Sequence, residues 1–359
     1  MRNRIAICVL TVALIFIARA GAETITVTTY NVEHFADHFE GRRLTTRKVA
    51  QQSEDAKEMV AAIKKANDED NWEVAETILD PKVNPDIIVI EECCDLEDLT
   101  YFNKKWLKGA YEQVLILPTN TGDRAQYIGM MVKPGFKILD KKDQYYLEKD
   151  PVKKHIVTKK KGEPDRVEDR ETLFARGPSF MKMQSPGGYV FWVGTNHMKS
   201  KSGNSAEVTA WRNREAKRIH EIMVDLTKTG PSDMIFLGDM NDEYGLDGEF
   251  EKDNGGDTIT NILGPESDGF VLETKPLLAR GEISFGGYDS SRFRSFIDHV
   301  FASSTMAKNV TGVSVYTDHL APAASDHYPV TVKIEAPTAG AAVTPTTKPS
   351  PTELQDAMP

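Results

Sequence analysis

Short apolar runs that each end in a polar side chain constrain this chain most. Ile25 to Tyr30 alternates as a strand does and stops at Asn31, and Asp86 to Ile90 is largely apolar and stops at Glu91 and Glu92. Tyr189 to Val193 leads to Asn196 and His197, Met234 to Leu237 leads to Asp239, and Phe296 to Phe301 carries Asp298 within it. Tyr328 to Ile334 runs away from Asp326 and His327 in β-rich residues. Strand after strand places a polar group near one edge, as expected when a rigid scaffold positions a site. Carboxylates suit a hard divalent cation and imidazole moves protons near neutral pH, so the set can cleave a phosphate ester.

Helical patterns separate these runs. From Ser205 to Lys228, Val208, Trp211, Ile219, Ile222, Met223 and Leu226 recur on one face, and Gly230-Pro231 ends the pattern. Asn204, with Glu207 three residues later, gives a capping-box-like start; Arg212, Arg214, Lys217 and Arg218 read as the solvated face. Lys48 to Asn67 predicts a second helix, Asp68-Glu69-Asp70 an acidic turn, and Trp72 to Leu79 a third helix.

With 359 residues and 40% hydrophobic content the chain can bury a large core. Met1-Arg2-Asn3-Arg4, an apolar run from Ile5 to Ile17 and Ala20-Gly21-Ala22 have the order of a secretory signal peptide. The run is shorter than the roughly 20 residues a membrane span needs. Cleavage is expected before Glu23, with a secreted or periplasmic destination. From Ala336 onward, Ala, Pro and Thr predominate and too little apolar surface remains to fold, so residues 336–359 read as a disordered tail and residues 23–335 as one domain. Losing Cys8 with the signal leaves Cys93 and Cys94, which excludes a long-range disulfide framework. A strained disulfide, two free thiols and a redox pair remain open, with buried structural cysteines the favoured reading.

The net charge of -10 excludes a protein that holds nucleic acid by bulk electrostatics, but not an enzyme that reaches phosphates through a metal. Lys153-Lys154-His155 and Lys159-Lys160-Lys161 are a local exception, read as a solvated loop in preference to a polyanion-contacting arm.

Thr29-Tyr30-Asn31-Val32-Glu33, Asp86 to Glu92, Thr195 to Ser200, Gly238-Asp239-Met240-Asn241, Ser295 to Val300 and Ser325-Asp326-His327 resemble, in order and spacing, the endonuclease/exonuclease/phosphatase superfamily. The resemblance covers nearly the whole domain. It implies an α/β four-layer αββα sandwich of two packed, mostly antiparallel sheets with helices outside and the site across the top. It makes Glu92 the principal metal ligand, with Glu91 in the family's glutamine position, and Asp326 a further acidic contributor. Such oxygens imply Mg²⁺ or Mn²⁺, with Ca²⁺ the remaining hard cation. Asp298 would orient His327 and favour its cation. Asp239 and Asn241 would orient or deprotonate the attacking water, Asn31 and Asn241 would donate to phosphate oxygen or to the metal ligand, and the identity of the base stays open. His197 resembles the second histidine of deoxyribonuclease-like and sphingomyelinase-like members, on the leaving-group side. Arg176 is a phosphate clamp or a surface arginine.

Two departures stand out. Deoxyribonuclease-like members pair the second histidine with a glutamate that is absent around Tyr127, where Ala125 and Gln126 stand, so His197 lacks an identified partner. Cys93 replaces the basic residue those members send into the DNA minor groove. His34, Asp37 and His38 suggest a second metal site only weakly, since no further ligand is specified. The expected activity is a secreted, divalent-metal-dependent phosphodiesterase acting on DNA or RNA as a nuclease. A phosphoesterase for a lipid or small phosphorylated molecule is the alternative, a catalytically inactive binding module the remote one, and no obligate protein partner is implied.

Overall fold

The computed structural model describes residues 22–39, 54–120, 126–158, 166–201, 206–245, 257–286, 294–318 and 325–337. The signal segment, Asn204, Lys159 to Lys161 and residues 338–359 lie outside these.

Two six-stranded sheets are stacked face to face. The first has the order β13 (Val310–Val315), β14 (Val330–Ala336), β1 (Glu23–Asn31), β2 (Ile87–Cys93), β4 (Tyr127–Val132) and β3 (Gln113–Leu117). The second has the order β11 (Phe270–Leu272), β12 (Asp298–Ser303), β10 (Met234–Asp239), β9 (Val190–Thr195), β8 (Ser179–Gln184) and β5 (Lys137–Lys142). Each contains one parallel pair, β1 with β2 and β9 with β10, and antiparallel neighbours elsewhere. A long helix crosses between the strands of each parallel pair: α1 (Glu54–Leu79) and α3 (Ala206–Thr229).

Residue alternation explains the layers. In β2, Ile87 and Val89 face the opposite sheet while Ile88 and Ile90 face α1 with Val74 and Ile78. In β10, Ile235 and Leu237 face inward and Met234 and Phe236 face Trp211, Ile219 and Met223 of α3. Central strands buried on both faces read as continuous apolar runs for this reason. The result is the αββα sandwich. Among the described residues no helix is long and apolar enough to cross a membrane.

Several local expectations change. The acidic turn at Asp68-Glu69-Asp70 lies inside α1, which is continuous; Lys105 Nζ meets Asp68 at 2.9 Å and Lys65 meets Glu69 at 3.7 Å one turn away, so the charges are accommodated on the helix. Asp298 opens β12 instead of lying within it. Ala336 is buried and ends β14 opposite Glu23, so the tail begins later than residue 336. Lys153 to His155 belong to β6 (Lys149–Thr158), paired with β7 (Arg166–Thr172), and not to a loop. Arg212 is buried, not solvated: its Nη2 lies 3.2 Å from Asp242 Oδ2 and its Nε donates to Thr258 Oγ1 at 3.2 Å. Cys93 and Cys94 are buried free thiols.

Candidate active site

Asn31 ends β1, Asp239 ends β10, and the two sheets bring these ends together, with Asn31 Nδ2 donating to Asp239 Oδ2 at 3.0 Å. Gly238 lets the segment after the neighbouring β9 pass close by: at φ 152° its position faces the Asn196 carbonyl oxygen, 2.1 Å from where a Cβ would lie. Past β10 the chain turns at once, and the Asn241 amide donates to Asp239 Oδ1 at 2.8 Å. Asn241 itself has φ 51°, His34 φ 51° and Glu92 φ 52°. Left-handed non-glycine residues concentrated at one rim mark a backbone held there by its surroundings.

Asp239 sits between two imidazoles. His197 Nε2 is 3.3 Å and His327 Nε2 3.9 Å from its Oδ2. Burial, with the Asp298 charge adding to it, pushes the Asp239 carboxyl up to about 7 against the opposing pull of His327. His327 Nδ1 lies 2.9 Å from Asp298 Oδ2, and its Nε2 is 3.9 Å from Asp326 Oδ1. Burial works against the imidazolium, yet Asp298, Asp239 and Asp326 outweigh it and raise His327 to about 10, so this ring is a cation at neutral pH. Burial, together with the Arg176, His327 and Lys199 charges, drives His197 well below the ordinary value and leaves it neutral. One histidine is thus charged and one uncharged around a single carboxylate.

Hydroxyls hold the parts in place. Ser325 Oγ donates to Asn31 O at 2.7 Å and accepts from the His327 amide at 3.0 Å, tying the segment that leads into β14 to the end of β1. Ser284 Oγ accepts from the amides of Ile297 and Asp298 at 2.9 and 3.0 Å and so fixes the start of β12.

Glu91 and Glu92 lie at an irregularity in the pairing of β2 with β4, between Ile90 and Cys93. Glu91 is buried and receives Thr29 Oγ1 at 2.6 Å; burial, aided by the Asp298 and Asp239 charges, pushes its carboxyl well above the ordinary value against the pull of that hydrogen bond. Glu92 stays at the rim, where its Oε2 accepts from the His34 amide at 3.1 Å and from Gln126 Nε2 at 3.3 Å. Burial, reinforced by the Glu33 and Glu92 charges, raises Asp326 to about 6 despite His327, so three carboxylates share one field.

This donor set fits a hard divalent cation. Asp326, under the charges of Glu33 and Glu92, gains from one, and among the described residues the buried Asn31 Oδ1 has no hydrogen-bond partner. Ligand atoms of Asp239, Asp298 and His327 also lie within 4.8 Å of one another, but an imidazolium already bonded to Asp298 is not a metal donor. Glu92 and Asp326 remain the ligands that the family resemblance suggests, with the Glu33 and Glu92 charges both felt at Asp326.

The chain is similar in structure to truncated Caenorhabditis elegans TDP2 (TM-score 0.51, 15% identity, 87% of this chain and 98% of that one). It is similar also to endonuclease/exonuclease/phosphatase proteins from Bacteroides thetaiotaomicron (0.52, 16%, 88% and 95%) and Bacteroides vulgatus (0.52, 13%, 88% and 100%). The chain has the endonuclease/exonuclease/phosphatase fold. Neither a family model nor a curated relative matches the sequence.

Within the endonuclease/exonuclease/phosphatase fold, Asn31, His197, Asp239, Asp298 and His327 converge, joined by Asn241 through its main chain and by Asp326 near His327. Arg176 does not open as a phosphate clamp. Its guanidinium is buried and donates to His197 O, Met198 O and Gln126 Oε1 at 3.3, 2.8 and 3.1 Å. His197 Nε2 faces Asp239, while its buried Nδ1 has no hydrogen-bond partner among the described residues. His38 is half-buried, with desolvation lowering its pKa to about 4, which suits packing against Phe35 more than ligation. Sequence reasoning missed Glu33, Ser284 and Gln126 as site residues. Glu33 lies two residues past Asn31 inside a quoted motif and could have been found; Ser284 carries no local signal.

Proposed function

We propose that this chain is a divalent-metal-dependent hydrolase of phosphate esters, acting on the phosphodiesters of nucleic acid. The observation that carries this reading is Asp239, a buried carboxylate held by the Asn31 side chain and the Asn241 amide between a neutral and a cationic imidazole. A carboxylate with pKa near 7 is suited to take a proton from water at neutral pH. The His327 imidazolium, oriented by Asp298, offers Nε2–H to a phosphoryl oxygen as charge builds there. His197 supports Asp239 from the other side, and Asn31 keeps the same carboxylate aimed. A divalent ion held by Glu92 and Asp326, with Glu33 near, would supply further positive charge to the phosphate.

Nucleic acid is preferred as substrate because the sequence segment Lys153-Lys154-His155 and Lys159-Lys160-Lys161 offers positive charge to a polyanion, although the paired strands β6 and β7 also carry Asp150, Glu168, Asp169 and Glu171. A small phosphate monoester is the second reading, since a Bacteroides thetaiotaomicron mannosyl-6-phosphatase has a similar fold (TM-score 0.50, 16% identity). Residues 1–22 would direct export. The test incubates purified protein with plasmid DNA, RNA, sphingomyelin, inositol phosphates and a hexose 6-phosphate, each with Mg²⁺ or Mn²⁺ and with chelator. Metal-dependent cleavage of DNA or RNA is expected; turnover of the monoesters alone would move the assignment to a phosphatase, and turnover of none would end it.

A further inference from the structure

Gln126 stands immediately before β4 and joins two parts of the site that belong to different sheets. Its Nε2 donates to Glu92 Oε2 at 3.3 Å, and its Oε1 accepts from Arg176 Nη1 at 3.1 Å. Arg176 passes the connection on, through Nε to His197 O at 3.3 Å and through Nη2 to Met198 O at 2.8 Å. Met198 O also accepts from Asn241 Nδ2 at 3.1 Å. An unbroken path therefore runs from Glu92 on the first sheet to the His197 and Asn241 segments that follow β9 and β10 on the second.

We infer that Gln126 and Arg176 form a positioning relay that holds the Glu92 carboxylate for a divalent cation and ties its orientation to the His197 and Asn241 segments. The inference rests on the reading of Glu92 as a cation ligand. Glu92 sits at φ 52° in a strand irregularity, so its main chain does not share the regular pairing of β2 and its side chain needs external donors. The amide donates to one partner and accepts from the other through two different atoms. A glutamate at 126 could accept from Arg176 but would face Glu92 oxygen to oxygen. An arginine placed directly on Glu92 would neutralise the charge that a cation requires. The interposed amide keeps the guanidinium one side chain away, so orientation is transmitted and the negative charge remains available.

The test is calorimetric titration of the purified, folded full chain with Mn²⁺, without substrate. Gln126→Met keeps length and volume but removes both hydrogen bonds, and it should raise the Mn²⁺ Kd about tenfold or more, the usual effect of losing a partner of a metal ligand. Arg176→Met should raise it similarly, although Arg176 does not touch Glu92. The double variant should bind no more weakly than the weaker single variant. Turnover by Gln126→Met on the best phosphodiester should return towards the wild-type kcat at saturating Mn²⁺, which a merely destabilised fold does not do. Should Arg176→Met fail to fold, Gln126→Met alone decides. An unchanged Kd in folded Gln126→Met, or losses at 126 and 176 that multiply, overturns the relay. A Kd unmoved by Glu92→Ala takes down the assignment of Glu92 itself, and the relay with it.

Discussion

The pair His327 and Asp298 shows what a single carboxylate does for a buried ring. Burial alone favours the neutral imidazole; Asp298, 2.9 Å from Nδ1, leads Asp239 and Asp326 in overriding it, and the cation persists to about pH 10. Asp298→Asn should keep the contact and remove the charge, lowering turnover on a phosphodiester by about 10² to 10⁴-fold. The double variant with His327→Ala should be little worse than His327→Ala alone, because members of one unit do not add. Multiplicative losses in folded proteins would separate the two residues. Linkage gives a second expectation. The folded pKa of His327 lies above the ordinary 6.5, so its stabilising contribution is complete below about pH 6.5 and is lost as pH rises through about 10. Chemical denaturation of metal-free protein across that window should show this decline, and Asp298→Asn should flatten it.

At the scale of elements, α3 does more than cover a sheet. Its Arg212 reaches Asp242, three residues after Asp239, and Lys201 Nζ meets the other Asp242 oxygen at 2.6 Å. The turn that carries Asn241 is thereby anchored to the outer helix. Arg212→Met should destabilise the fold by about 3 kcal/mol, the low end for breaking a buried ion pair because Lys201 remains, read as a lower urea midpoint at unchanged slope. The C-terminal strand gives the converse case. Ending the chain after Pro337 keeps all of β14, whereas ending it after Glu335 removes buried Ala336 and its pairing with Glu23. The shorter truncation should leave the melting temperature within about 2 °C, and the longer should lower it more.

Across the whole molecule, the two sheets concentrate carboxylates that repel one another. Burial and like charges raise Asp239 to about 7 and Asp326 to about 6, so in metal-free protein their stabilising contribution is present below about pH 4 and lost as pH rises through those values. A bound cation relieves the same repulsion. The rise in melting temperature given by Mg²⁺ or Mn²⁺ should therefore be larger at pH 8 than at pH 5, and Glu92→Ala should remove most of it while the protein stays folded. An equal rise at both pH values would show that the cation is held elsewhere.

Much of the site was legible because its residues end strands or sit in short polar motifs: Asn31, Asp239, Asn241, Asp298 and His327 stand beside the apolar runs that deliver them. The sandwich itself follows from such runs, since strands apolar on both faces need covering on both. What the local pattern does not carry is which polar group meets which. Arg212 looks like any helix arginine until Asp242 is found beneath it, and Gln126 looks like a lost glutamate until Glu92 and Arg176 appear at its two ends. The raised Glu91, the charged His327 and the neutral His197 are likewise set by burial and neighbouring charge, which depend on distances between strands far apart in the chain. Sequence fixes the inventory at the rim through periodicity, a local property; tertiary structure decides charge states and partnerships, because electrostatics and hydrogen bonding act through space.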